Sequence, residues 1–99
     1  MPFAFRPVWL LFGDSITQYG FEPQGWGMHI ASQYERRIDL INRGFGGYNT
    51  RWALELLPWV MEGVVKPQLA TIFFGANDAA LPDRTSYVCG DAVADMGIL

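Results

Sequence analysis

The chain reads as an α/β domain built on a parallel sheet, and three observations predict this. Three short apolar runs rich in β-formers, Val8 to Phe12, Ile38 to Ile41 and Leu69 to Phe74, recur at intervals of about thirty residues, the size of a strand-helix-strand unit. Helix-like amphipathic patterns separate them. Each run gives way at once to small or polar residues: Gly13-Asp14-Ser15, Asn42-Arg43-Gly44-Phe45-Gly46-Gly47 and Gly75-Ala76-Asn77-Asp78. Parallel strands need crossovers long enough to return to the same edge, so helices must lie on the faces. The three polar segments therefore gather at the carboxyl edge, where open α/β sheets bind ligands.

Taken in order, Val8 to Phe12 is too short and too abruptly ended by Gly-Asp-Ser for a secretory leader, and it reads as a buried strand. Ser15 followed by Gln18 fits a capping box, which predicts a helix start with Ser15 as its cap. The next helix is expected over Trp26 to Arg37. There Trp26, Ile30 and Tyr34 recur every fourth residue with Ala31 beside them, and Gln33, Glu35, Arg36 and Arg37 face water. Ile38 to Ile41, interrupted by Asp39, supplies the second strand. A helix capped by Thr50 follows, with Trp52, Ala53, Leu56, Leu57, Val60, Met61 and Val64 on one broad face, and Pro58 should kink or divide it. Leu69 to Phe74 is the third strand. Beyond it Pro82 and Asp83 make a turn, and residues 84–99 carry two glycines and no clear period. This divides the chain into a domain part, 1–83, and a divergent tail, 84–99, expected to be a frayed helix or unstructured.

Composition narrows the function classes. Hydrophobic residues make up 51% of the chain, with four Trp, seven Phe and four Tyr, which is enough for a core. Ten acidic residues against seven scattered basic ones give a formal charge of −3, which argues against a nucleic-acid surface. Cys89 is the sole cysteine, so no internal disulfide forms; this leans toward a reducing, cytoplasmic compartment, and Cys89 reads as an ordinary buried thiol. No run approaches the ~18 apolar residues of a membrane span.

The chemistry lies at the three strand ends. Ser15 alone is a cap. In company it is more, because glycine backbone after the second strand can aim N–H groups into the same space and Asn77 after the third offers an amide donor. A nucleophile and two independent donors are the parts that hold a developing oxyanion. Gly13-Asp14-Ser15, the spaced Asn42, Gly44 and Gly47, and Gly75-x-Asn77-Asp78 resemble, in order, the first three blocks of the SGNH (GDSL) hydrolase family. The surrounding text, including Leu-Phe-Gly-Asp-Ser-Ile-Thr-Gln and Thr-Ile-Phe-Phe-Gly-Ala-Asn-Asp, is similar to its isoamyl-acetate-hydrolysing esterase branch over about positions 8 to 82.

The resemblance implies a three-layer α/β/α sandwich with a parallel, flavodoxin-like sheet, of which this chain is about the amino-terminal half. It implies an ester hydrolase acting on small acyl esters, with Ser15 as nucleophile and an oxyanion hole made by the backbone N–H groups of Ser15 and Gly47 and the side-chain amide of Asn77. No metal or organic cofactor is implied. The expected partner is a small-molecule ester. Asp14 and Asp78 are expected to brace turns by bonding backbone amides.

One departure from the family is decisive for activity. Its final block, Asp-x-x-His, supplies the base and the carboxylate that orients it, and this chain has no such tetrapeptide. The sole histidine, His29, falls inside the Trp26 to Arg37 helix with Trp26 three residues before it, and reads as a helix-surface or packing histidine. Losing the base costs on the order of 10⁶ in turnover in a serine protease, so little or no activity is expected of the chain alone. The alternative is a catalytically silent binding or regulatory module. A third reading, dinucleotide binding through Gly44-x-Gly46-Gly47, fails because Asn49 stands where the fingerprint needs its last glycine. Three strands and two helices would also leave a sheet edge and a helix face uncovered, inviting self-association. Phe21, Trp26, Phe45, Tyr48 and Trp52 flank the edge loops, either as core or as lining of an acyl pocket.

Overall fold

The computed structural model describes residues 6–64 and 66–80. Its strands are β1 (Val8–Gly13), β2 (Asp39–Gly44) and β3 (Leu69–Phe73), and its helices are α1 (Ser15–Gln18), α2 (Trp26–Gln33) and α3 (Thr50–Glu62), with a 3-10 turn over Tyr19–Phe21 after α1. The three strands form one parallel sheet in the order β2-β1-β3. The chain leaves β1 toward one side and then crosses back over it to reach β3. Right-handed crossovers in opposite directions must run over opposite faces. They do: α1 and α2 border Thr71 and Phe73, whereas α3 borders Ile72 of the same strand and Phe74 just past its end. The result is the α/β/α layering expected.

The core lies beneath α3, where Leu10, Phe12, Tyr48, Ala53, Leu56, Val60 and Val64 form one buried cluster. Leu11 points to the other face and is equally buried. Phe12 is packed edge-on by Phe74 at 5.0 Å and by Phe45 at 6.4 Å between ring centroids. β1 is apolar throughout because it is covered on both faces and paired on both edges.

Several boundaries differ from those read in the sequence. α2 ends at Gln33 rather than Arg37, and the chain reverses through Arg36 at φ +67 before entering β2. β2 runs on to Gly44, so Asn42, Arg43 and Gly44 are strand residues and not loop residues; pairing with β1 extends the ladder past the point where apolar character ends. α3 is capped by Asn49, whose side chain accepts from the Trp52 N–H, and Thr50 is its first residue. Pro58 does not divide α3. Its ring lies on the exposed side, facing away from the Ala53, Leu56 and Val60 stripe. Leu57 and Met61, expected on the buried face, stand at its exposed margin.

β3 is an edge strand, and its apolar residues are open to solvent: Ile72 is 74% and Phe73 50% exposed. On α3, Leu54 and Trp59 are exposed as well. This is the uncovered edge and helix face anticipated for so few elements. Among the described residues no helix is long and apolar enough to cross a membrane. The Pro82 turn, the 84–99 tail and Cys89 lie outside the described residues.

Candidate active site

The register makes the site. Gly13 pairs with Gly44 on one side and with Phe73 on the other, so all three strands end level. Neighbouring strands lie about 4.8 Å apart, and the residues just beyond these ends must share one small region. Ser15 is two residues past β1, Gly47 three past β2 and Asn77 four past β3.

Ser15 does not cap its helix. Asp14 does, accepting from the Ile16 N–H at 3.0 Å through Oδ1, while its own N–H donates to Phe73 O. Asp14 is 1% exposed and serves as the expected turn brace. The capping-box pattern misled because two adjacent residues, Asp14 and Ser15, are both good caps, and the tight turn selects the first. Ser15 is therefore the first residue of α1, half-buried, with an N–H that has no acceptor within the helix.

β2 delivers the second arm. Gly44 passes directly under α1, where a Cβ would lie 2.7 Å from the Thr17 carbonyl carbon and closer still to the Gln18 backbone. Asn42 fastens this crossing: its Nδ2 donates to Thr17 O at 2.8 Å, and its Oδ1 accepts from the Gly44 N–H at 2.8 Å. These two residues of the second block are thus structural. Beyond them Phe45 to Tyr48 forms a turn closed by Tyr48 N–H donating to Phe45 O, with Gly47 at φ +84. A positive φ at that third position is the mark of a type II turn and favours glycine. Open space lies where a Gly47 Cβ would be, and the Gly47 N–H has no protein acceptor among the described residues. Gly46 abuts Ser15, since a Cβ on it would sit 3.5 Å from Ser15 Cβ.

Asn77 completes the group. It is buried, and its Nδ2 donates to Tyr48 O at 3.0 Å, which ties it to the residue beside Gly47. An amide carries two N–H groups, so one remains for a ligand. Asp78 spans farther than its own turn: its carboxylate accepts from Thr50 N–H at 3.0 Å and from Thr50 Oγ1 at 2.5 Å, joining the loop after β3 to the start of α3. Ser15, Gly47 and Asn77 are in this way brought to one edge by an unbroken chain of contacts.

The flanking aromatics divide between roles. Tyr48 is in the core, with Phe45 and Trp52 packed against it at 5.2 and 5.5 Å. Burial pushes the Tyr48 phenol above its ordinary value of 10.0. Trp26 donates its Nε1–H to Ile16 O at 2.9 Å and, with Ile16, Thr71 and Phe73, borders an apolar cavity of about 330 Å³ one residue beyond Ser15. His29 is exposed on α2.

Comparison with known proteins bears on the same blocks. The model of the GDSL-like lipase/acylhydrolase family matches residues 11–96. The chain belongs to this family. Among members of the GDSL-like family, it is 57% identical over 83 residues to a GDSL esterase/lipase of Arabidopsis thaliana, covering 82% of this chain and 34% of that protein. It is 54% identical over 83 residues to the isoamyl acetate-hydrolyzing esterase 1 homolog of Bos taurus (78% and 33%) and 42% identical over 79 residues to the isoamyl acetate-hydrolyzing esterase of Saccharomyces cerevisiae (71% and 33%). The crystal structure of AlinE4, an SGNH-hydrolase family esterase, superposes with a TM-score of 0.65 at 25% identity, covering 78% of this chain and 44% of that one. The chain thus spans about a third of the length of the curated GDSL-like relatives it matches.

Two residues that matter to this GDSL-like site escaped the sequence reading. Thr50 reads in the sequence as a cap, yet it is the anchor for Asp78. Gln18 reads in the sequence as a capping-box partner, yet its Oε1 accepts from the Gly46 N–H at 2.6 Å. Neither has a local signal, because both partners lie 28 residues away.

Proposed function

We propose that this chain carries the acyl-accepting machinery of a carboxylesterase for small acyl esters, with Ser15 as nucleophile and the N–H groups of Ser15, Gly47 and Asn77 as oxyanion donors. The single observation that carries the reading is the Asn77 Nδ2 bond to Tyr48 O, which fastens a buried amide beside the free Gly47 N–H at the edge where Ser15 emerges. In the reaction, Ser15 Oγ attacks the ester carbonyl carbon and loses its proton to a base. The carbonyl oxygen becomes an oxyanion held by the three donors, and collapse expels the alcohol to leave acyl-Ser15. Each donor of this kind is worth about 2.7–4 kcal/mol where one has been deleted. Water then releases the acid by the same route. The isoamyl acetate-hydrolyzing relatives support small esters as the substrate class.

The base is the missing part. With no Asp-x-x-His in the sequence and His29 exposed on α2, hydroxide must take the serine proton, so acylation is slow and deacylation slower. The chain alone is a stoichiometric acyl acceptor with little or no turnover, which also accommodates a silent module that keeps the substrate-facing edge. Incubation with p-nitrophenyl acetate at pH 9, followed by peptide mass mapping, separates the possibilities. One acetyl group on Ser15, absent from Ser15→Ala, is expected. Acetylation confined to Lys66, Cys89 or the terminal amine, with none on Ser15, would overturn the reading. Rapid multiple turnover abolished by Ser15→Ala would overturn the claim that the base is lacking.

A further inference from the structure

The Phe45 to Tyr48 turn holds two consecutive glycines at its centre, and that is a weakness for a site that needs one amide aimed accurately. In a type II turn the peptide joining the two central residues is flipped relative to type I, so the two forms point the third residue's N–H in opposite directions. Gly46-Gly47 has no Cβ to resist that flip. Gly47 at φ +84 is in one of the two forms, and the Tyr48 N–H to Phe45 O bond is compatible with both. A turn this free needs an anchor from outside that fixes where it lies relative to Ser15.

Gln18 supplies that anchor. Its backbone is held on both sides, with its N–H donating to Asp14 O at 2.9 Å and its carbonyl facing Asn42 Nδ2. From that fixed point the side chain crosses to the turn, and Oε1 accepts from Gly46 N–H at 2.6 Å. The same oxygen lies 2.9 Å from where a Gly46 Cβ would be, so the side chain is packed directly against the turn. Ser15 belongs to the same four-residue helix as Gln18. One short element therefore carries the nucleophile at its first residue and, at its last, the group that fixes the neighbouring donor.

We infer that Gln18 is a positioning residue that tethers the Phe45–Gly46 peptide, and with it the turn, against α1, so that the Gly47 N–H is held within reach of the oxyanion formed on Ser15. It touches no substrate atom. The inference rests on the esterase reading above and adds to it the device that sets the oxyanion hole. A side chain exposed to solvent, as Gln18 is, contributes little to global stability, and this makes its role separable from folding.

The test is the first-order rate of Ser15 acetylation by saturating p-nitrophenyl acetate at pH 9, measured on the full chain together with amide hydrogen exchange at Gly46 and Gly47. Gln18→Leu removes the acceptor at similar size. It is expected to slow acetylation about tenfold, less than outright donor loss because the N–H survives misaimed. The half-saturating ester concentration and the thermal midpoint should stay unchanged, and protection at Gly46 should disappear. Gln18→Glu keeps an acceptor oxygen at the same reach and should restore Gly46 protection, with only part of the rate because its charge opposes the oxyanion. A Gln18→Leu chain that acetylates Ser15 at the parental rate, or that keeps Gly46 protected, overturns the inference while leaving the esterase reading intact. A parent chain that never acetylates Ser15 sinks the esterase reading and the inference with it.

Discussion

Replacing Gly44 by alanine tests how the second strand sets the site. The added methyl would lie 2.7 Å from the Thr17 carbonyl carbon and nearer to Gln18 N and Cα, all of them backbone atoms that cannot swing aside. Ordinary carbon contacts begin near ~3.5 Å, so β2 and α1 must part by roughly 1 Å. Overpacking of this kind costs about 1–3 kcal/mol. Separation also strains the Asn42 bond to Thr17 O, worth about 1 kcal/mol. A total of about 2–4 kcal/mol follows, against roughly 5–10 kcal/mol for a whole domain of this size. Gly63→Ala is the control, because nothing lies within 4 Å of a Cβ there and its φ of −96 suits any residue. Urea unfolding followed by tryptophan fluorescence should show a much lower midpoint for Gly44→Ala and none of that loss for Gly63→Ala. A Gly44→Ala midpoint equal to the control's would refute the claim that α1 rests directly on β2.

Pro58→Ala should stabilise the chain by about 1–2 kcal/mol in the same assay, because an exposed proline inside α3 forfeits a helix hydrogen bond that alanine regains. Tyr48→Phe should cost little, since the buried Tyr48 hydroxyl has no protein partner among the described residues. It should also change the alkaline limb of stability. Burial raises the phenol above 10.0, so the folded state holds that proton more tightly; stability is full below about pH 10 and falls as pH climbs through the raised value, and the variant should lose that part of the fall. Asp78→Ala removes both bonds to Thr50 and should lower stability by about 1–2 kcal/mol, with faster exchange of the Thr50 amide as the direct readout.

The strands were legible as short apolar runs, and α2 and α3 as periodic apolar faces. The positions of Ser15, Gly47 and Asn77 at one edge were legible because parallel topology sends every strand's end there. What the sequence did not show is contact across long separations. Asn42 and Gly44 looked like loop residues, since nothing local says that a polar strand end will be paired and crossed by α1. Asp14 and Ser15 are equally good caps on paper, and only the turn's geometry decides between them. The exposure of Ile72 and Phe73 follows from what lies beside β3, which the apolar pattern of β3 itself cannot report.

The most direct measurement is a crystal structure of the chain after reaction with diethyl p-nitrophenyl phosphate. The account predicts one phosphoryl group on Ser15 Oγ, with its free oxygen about 2.7–3.1 Å from Ser15 N, Gly47 N and Asn77 Nδ2. An adduct on another residue, or a phosphoryl oxygen turned to solvent with Gly47 and Asn77 out of reach, would contradict it.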